Sequence, residues 1–141
     1  MSLTPAQMDR MIDEHFAYEA QDDIDGVLGT LAPEAVHDVV GWPTGPSHGR
    51  EEARRFYTRL FADVDEGKVT CLRRLYGENF LVDESEWEGT ARGCPFGFEG
   101  KDRPLKMRIL HVMEFTDDEK IAREQVWIDM ASVMQQLPQS E

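Results

Sequence analysis

The period of the hydrophobic pattern changes near residue 69, and the change divides the chain into a largely helical half and a strand half. Leu3-Thr4-Pro5-Ala6-Gln7-Met8 reads as a helix start. Thr4 suits the cap, Pro5 the first helical position, Gln7 completes a capping box, and Leu3 is placed to pack on Met8. Met8, Met11, Ile12, His15 and Phe16 then recur at helical spacing. His15 reads as a packed or half-exposed helix histidine. Asp22-Asp23 opens a second, shorter helix whose inward face is Ile24, Val27, Leu28 and Leu31. Ala32-Pro33 stops it, because proline restricts the residue before it. Gly26 and Gly29 weaken that helix as a free-standing element and so point to close packing. Residues 35–40 form a short strand running into a glycine–proline loop over 41–49. His37, Trp42 and His48 cluster around this loop, which is either a surface loop with a Trp lid over the core or the rim of a pocket. Residues 50–64 predict a third helix with Ala53, Phe56, Tyr57, Leu60, Phe61 and Val64 inward. Residues 63–68 read as a solvated turn.

From Val69 onward the residues alternate. Residues 69–76 and 80–89 predict two strands. On the second, Asp83, Ser85 and Trp87 share one face, so it is half exposed or lines a polar cavity. Residues 90–101 are irregular, with Phe96 and Phe98 as anchors. Residues 105–115, a turn over 116–120, and residues 121–129 predict a strand–turn–strand unit, followed by a terminal helix or turn. On the first of these strands Met107, Ile109, His111, Met113 and Phe115 share a face. On the second, Ala122, Glu124, Val126 and Ile128 do. One imidazole and one carboxylate thus sit in otherwise apolar rows.

A length of 141 residues suits one domain, able to bury roughly two thirds of its unfolded surface without a disulfide or metal. Cys71 and Cys94 match no zinc or CxxC spacing, and read as free thiols in a reducing compartment rather than as a disulfide. A formal charge of -13 argues against nucleic acid or an anionic membrane as partner. No signal-peptide pattern is read, and no apolar run approaches the ~20 residues of a membrane span. The expectation is a cytoplasmic protein.

Nucleotide, metalloprotease and nucleophile-elbow motifs are absent from the sequence. His15, His37, His48 and His111 lack the short local spacing of a metal site, so no metal and no cofactor is expected.

The order of elements carries a resemblance. Residues 16–31, His37-Asp38-Val39-Val40, Gly49-Arg50-Glu51-Glu52-Ala53, Trp87-Glu88-Gly89-Thr90, residues 121–129 and Gln136-Leu137 together resemble the SnoaL-like branch of the NTF2-like superfamily, which includes ketosteroid isomerases and polyketide cyclases. The likeness spans nearly the whole chain and is one of order and spacing. It implies an α+β fold in which three N-terminal helices pack on the concave face of a cone-shaped, mixed, mostly antiparallel sheet. It further implies a deep apolar cavity for a small apolar ligand, a homodimer and no cofactor. Cyclases of this branch use a histidine on the penultimate strand and an aspartate on the last. His111 matches the first. The aspartate position falls on Val126, a departure that counts against a true polyketide cyclase, and Glu124 lies on the same side of its strand as a replacement.

The expected chemistry is acid–base proton transfer on a small carbonyl compound, giving isomerisation or ring closure. Glu124 is the candidate base, with an apolar wall raising its pKa toward neutrality, unless Arg108 or Arg123 reaches it. His111 holds the carbonyl or shares the proton, its ring fixed by a partner such as Tyr57. Asp38 is the alternative base. Trp42, Phe56, Tyr57, Trp87 and Met113 are the expected substrate-binding residues. Two other readings stand beside this one. The first is a non-catalytic binding or structural protein. The second is an epoxide hydrolase using Asp38, Arg108 and Asp129, matched by residue type only.

Overall fold

The capping box at the start of the chain forms in both directions. Gln7 N–H donates to Thr4 Oγ1 at 3.2 Å, and Thr4 N–H donates to Gln7 Oε1 at 2.8 Å. This computed structural model describes residues 2–137, and of Glu66 the backbone only. In chain order the elements are α1 (Pro5–Ala20), α2 (Ile24–Gly29), β1 (Leu31–Val39), β2 (Ser47–His48), α3 (Gly49–Asp63), β3 (Val64–Gly77), β4 (Phe80–Ala91), a 3-10 turn (Pro95–Gly97), β5 (Arg103–Phe115), β6 (Ile121–Ile128) and α4 (Met130–Gln136). The strands form one sheet in the order β2-β1-β6-β5-β4-β3. Only β1 and β6 run parallel, and the other pairings are antiparallel. The sheet curves into a half-barrel with the N-terminal helices packed against it, as expected.

Several boundaries differ from the pattern reading. Strand β1 starts at Leu31 rather than Ala35, and α2 ends at Gly29. A proline inside a strand removes a ladder donor, and Pro33 is tolerated because the β1–β6 register breaks between Leu31 and Val36. The stretch 63–68 is no turn. Asp63 closes α3 and is buried, and Val64 already pairs with Ala91. Its polar residues suit β3 because that strand is the sheet's edge, where charges discourage further pairing.

Burial alternates on β5 as expected, with Met107, Ile109, His111, Met113 and Phe115 inward. On β6 the alternation slips. Phe115 pairs with Ile121 while Glu114 pairs with Arg123, so Ala122 bulges out of register and both Ile121 and Glu124 are buried. Beyond the last β5–β6 pair, the backbone of Lys106 lacks a strand partner on that side. Gln136 of α4 supplies both partners, accepting from Lys106 N–H at 2.9 Å and donating to its carbonyl at 2.6 Å. Cys71 and Cys94 are free and exposed. Among the described residues no helix is long and apolar enough to cross a membrane.

Candidate functional site

Sheet register brings the polar residues of the inner face together. Asp83 on β4 pairs directly with His111 on β5, and His37 on β1 with Glu124 on β6. His111 Nδ1 lies 3.2 Å from Asp83 Oδ1. Asp83 is fully buried and also accepts from Arg74 Nε at 2.8 Å and from the Ser85 hydroxyl. Arg74 is clamped in turn by Asp9 at 3.0 Å and Asp13 at 2.7 Å, both on α1. Burial opposes the charge on Asp83, but the hydrogen bonds from His111, Ser85 and Arg74 outweigh it and hold the carboxyl down to about 2. A carboxylate facing Nδ1 assigns the proton there, which leaves His111 Nε2 for the cavity that this residue lines.

A second cluster forms around Glu124, which is 2% exposed. His15 Nε2 of α1 lies 3.1 Å from Glu124 Oε2 and 3.4 Å from Glu19 Oε1. His37 Nε2 lies 3.6 Å from Glu124 Oε2. The Tyr57 hydroxyl of α3 donates to Glu124 Oε2 at 3.4 Å and lies 3.3 Å from His15 Nε2. Burial pushes the Glu124 carboxyl up, but His15 and His37 outweigh it and hold the group well below the usual carboxylate range. Burial pulls His37 down, against the attraction of Glu124. Among the described residues, His37 Nδ1 is a buried side-chain atom with no hydrogen-bond partner.

Both clusters border one cavity with about 80 Å³ of space open to water, room for several waters or a small ligand. Its wall is mostly apolar, with Phe16, Val39, Leu60, Trp87, Met107, Ile109 and Val126 among the lining residues. Trp42, Phe56 and Phe96 line it on one side and, on the other, an outer cleft that also holds Glu52, Arg55, Arg59 and Asp63, so these rings form the wall between the two. Trp42 meets Phe56 and Phe96 edge-on, with centroids 5.0 and 5.8 Å apart.

Of the residues expected from sequence, His111, Glu124, Trp42, Phe56 and Trp87 line this cavity. Met113 is fully buried and is not part of its lining, and Tyr57 supports the lining from behind, donating to Glu124 and packing on His37, Phe56 and Phe61. Asp38 points elsewhere, toward Gln125 at 3.4 Å and Arg123 at 3.8 Å. The partner of His111 is Asp83, not Tyr57. The carboxyl of Glu124 is shifted down rather than up, and by histidines rather than arginines: Arg108 faces Glu84, and Arg123 faces Asp38 and Glu114. Arg108 and Asp129 are neighbours, with Asp129 N–H donating to the Arg108 carbonyl at 3.1 Å, but Asp38 is not with them and none of the three lines the cavity. Sequence reasoning set His37 at a loop that is one reading of a pocket rim, and Asp83 on a strand that is one reading of a polar cavity wall, but gave neither a role, and it passed over His15 and Glu19 as site residues. The one local signal was the spacing of His15 and Glu19, one helical turn apart on α1.

A curved mixed sheet covered by N-terminal helices, with histidines and carboxylates lining an apolar cavity, is the NTF2-like architecture. Within it, the chain belongs to the SnoaL-like domain family, which matches residues 12–124. No curated protein matches the sequence. Several solved structures share the fold. A SnoaL-like protein from Jannaschia sp. CCS1 superposes with a TM-score of 0.83 at 16% identity, covering 100% of this chain and 99% of that one. A protein with a ketosteroid isomerase-like fold from Catenulispora acidiphila DSM 44928, in complex with trimethylamine, gives 0.75 at 17% identity over 98% and 96%. An LEH-like epoxide hydrolase of M. tuberculosis gives 0.73 at 17% identity over 94% and 90%.

Proposed function

We propose that the protein is an isomerase or cyclase that moves a proton on a small apolar carbonyl compound by general acid–base catalysis. The observation that carries this reading is the His111–Asp83 pair on the wall of a mostly apolar cavity. A carboxylate that fixes the tautomer of an imidazole prepares the opposite nitrogen as a base. His111 Nε2 takes the proton from a carbon next to the carbonyl, and the carbonyl oxygen becomes an enolate. His37 lines the same cavity and donates to that oxygen from Nε2, which lies 3.6 Å from Glu124 Oε2. Glu124 orients His37 in this scheme rather than taking the proton. Return of the proton from His111 to another carbon gives isomerisation. Attack of the enolate carbon on a second carbonyl carbon, with the proton passing to the new alkoxide, gives ring closure.

The apolar lining selects an apolar ligand, and the cavity volume a small one. Epoxide hydrolysis has less support, because Arg108 and Asp129 neighbour each other away from the cavity and Asp38 is not with them. We further propose a homodimer through the outer sheet face, where Leu110 and Trp127 lie exposed and paired, and a reducing, cytoplasmic setting that suits two free thiols.

The test is a screen for carbonyl ligands followed by turnover assays on whichever the parent converts. His111→Gln is expected to lower kcat by about 10²–10⁴-fold, and Asp83→Asn to lower it through the wrong tautomer while KM changes little. Full turnover by both variants would refute the assignment. A ligand that occupies the cavity but is never converted would favour a binding protein instead.

A further inference from the structure

Glu19 has no part in the acid–base scheme, yet it belongs to a convergent set of donors. His15 Nε2, one Glu19 oxygen and one Glu124 oxygen all lie within 4.8 Å of one another. His15 and Glu19 project from one face of α1, and Glu124 comes across from β6. Thr30 settles the tautomer of His15. The Thr30 hydroxyl donates to the Val27 carbonyl at 2.6 Å, so toward His15 Nδ1, 2.7 Å away, it is an acceptor. Nδ1 therefore carries a proton. Nε2 would then aim a lone pair at two carboxylate oxygens 3.1 and 3.4 Å away, unless something positive lies between them. A proton on Nε2 lies along one of these lines at a time. A metal ion serves all three donors at once.

The two nitrogen–oxygen distances fit that second occupant. Zinc binds imidazole nitrogen and carboxylate oxygen at about 2.0–2.2 Å, which places tetrahedral ligands about 3.4 Å apart. The outer contacts fit as well. A metal-binding histidine characteristically donates its other N–H to a fixed acceptor, as His15 does to Thr30. The Tyr57 hydroxyl holds the Glu124 oxygen. One imidazole with two carboxylates suits a first-row transition ion better than magnesium, which prefers six oxygens and retains its waters.

We propose that His15, Glu19 and Glu124 bind one divalent transition-metal ion of the zinc class, with its remaining position toward the cavity that Glu19 and Glu124 line. A search for paired histidines passes over this set, because the local element is a His and a Glu one turn apart and the third ligand lies more than a hundred residues away. The inference goes beyond the acid–base reading and does not depend on it, since no proton step is routed through the ion.

The experiment is metal binding by the full-length protein, stripped with a chelator and titrated with Co²⁺ and then Zn²⁺. We expect one equivalent of Co²⁺ with the intense visible bands of a tetrahedral N,O site, bleached by Zn²⁺. Glu19→Gln replaces the least buried ligand and is the variant least disruptive to folding. It should weaken binding about tenfold or more, and His15→Gln should abolish the bands. His48→Gln, on the exposed β2 turn, should leave both unchanged. No uptake by the parent would overturn the proposal. So would parent-like affinity in Glu19→Gln with a native circular dichroism spectrum, and that variant decides alone if His15→Gln fails to fold.

Discussion

A buried carboxylate that accepts from an arginine, a histidine and a serine is stabilised in its charged form, and Asp83 is such a group. Its folded-state value of about 2 lies below its ordinary 3.8. The sign follows directly. A depressed carboxyl contributes stability that is fully present above about pH 4 and is lost as pH falls toward 2. Fully expressed, the shift corresponds to about 2 kcal/mol. Urea denaturation of the parent should lose stability across that window. Asp83→Asn should be less stable at neutral pH and show a shallower loss between pH 5 and pH 2.5. Equal slopes for the two proteins would show that Asp83 contributes nothing to the acid limb. The same substitution bears on turnover, because the groups that keep Asp83 charged also set the tautomer of His111. Arg74 of β3 is held by Asp9 and Asp13 of α1, so the helix that supplies His15 also braces the opposite cluster.

Among the helices, α2 is short and carries two glycines, and they differ in what they permit. A Cβ on Gly26 would overlap the Tyr18 ring, whereas one on Gly29 would meet nothing. Gly26→Ala removes a helix penalty of about 1 kcal/mol, yet forces the ring of Tyr18 to move. It should destabilise the parent and stabilise a Tyr18→Ala background. A thermal-melt double-mutant cycle checks this, and additive effects would show that the ring gives way without cost. The strands show a related division. Residues 105–115 were legible because alternation over an inner face is a local property of the chain, and 121–128 less so, because the bulge at Ala122 breaks the alternation. The first five residues of β3 were not, because an edge strand satisfies its charges in water and shows no alternation. Pro33 misled for the opposite reason. Its local preference is real, but an irregular register absorbs it.

The assembled sheet leaves its outer face partly apolar. Leu110 and Trp127 are 38% and 49% exposed and directly paired across β5 and β6. With a charge of -13 on each copy, self-association at that face works against repulsion that salt screens. The expected outcome is a dimer in sedimentation at micromolar concentration, tightened by added salt. Trp127→Glu should give a monomer with an unchanged circular dichroism spectrum. A monomeric parent at all salt concentrations would remove the proposed contact.

Thr4, Pro5 and Gln7 act within one helical turn, and the apolar row of β5 within one strand, so α1 and the inward placing of His111 could be read from neighbouring residues alone. The oddity of Glu124 in its row was legible in the same way. The partners of these two groups were not. Asp83 meets His111 through a register set across the irregular connection from residue 92 to 102, where no tight turn fixes the offset as it does between β5 and β6. His37 meets Glu124 through the parallel pairing of β1 with β6, strands at opposite ends of the chain. His15 reads as an ordinary helix histidine until α1 docks beside β6 and the bulge at Ala122 turns Glu124 inward. Ionisation follows the same division. An apolar row around a carboxylate predicts a raised pKa, and the imidazoles that lower it at Glu124 come from α1 and β1, far away in the chain and close only after folding.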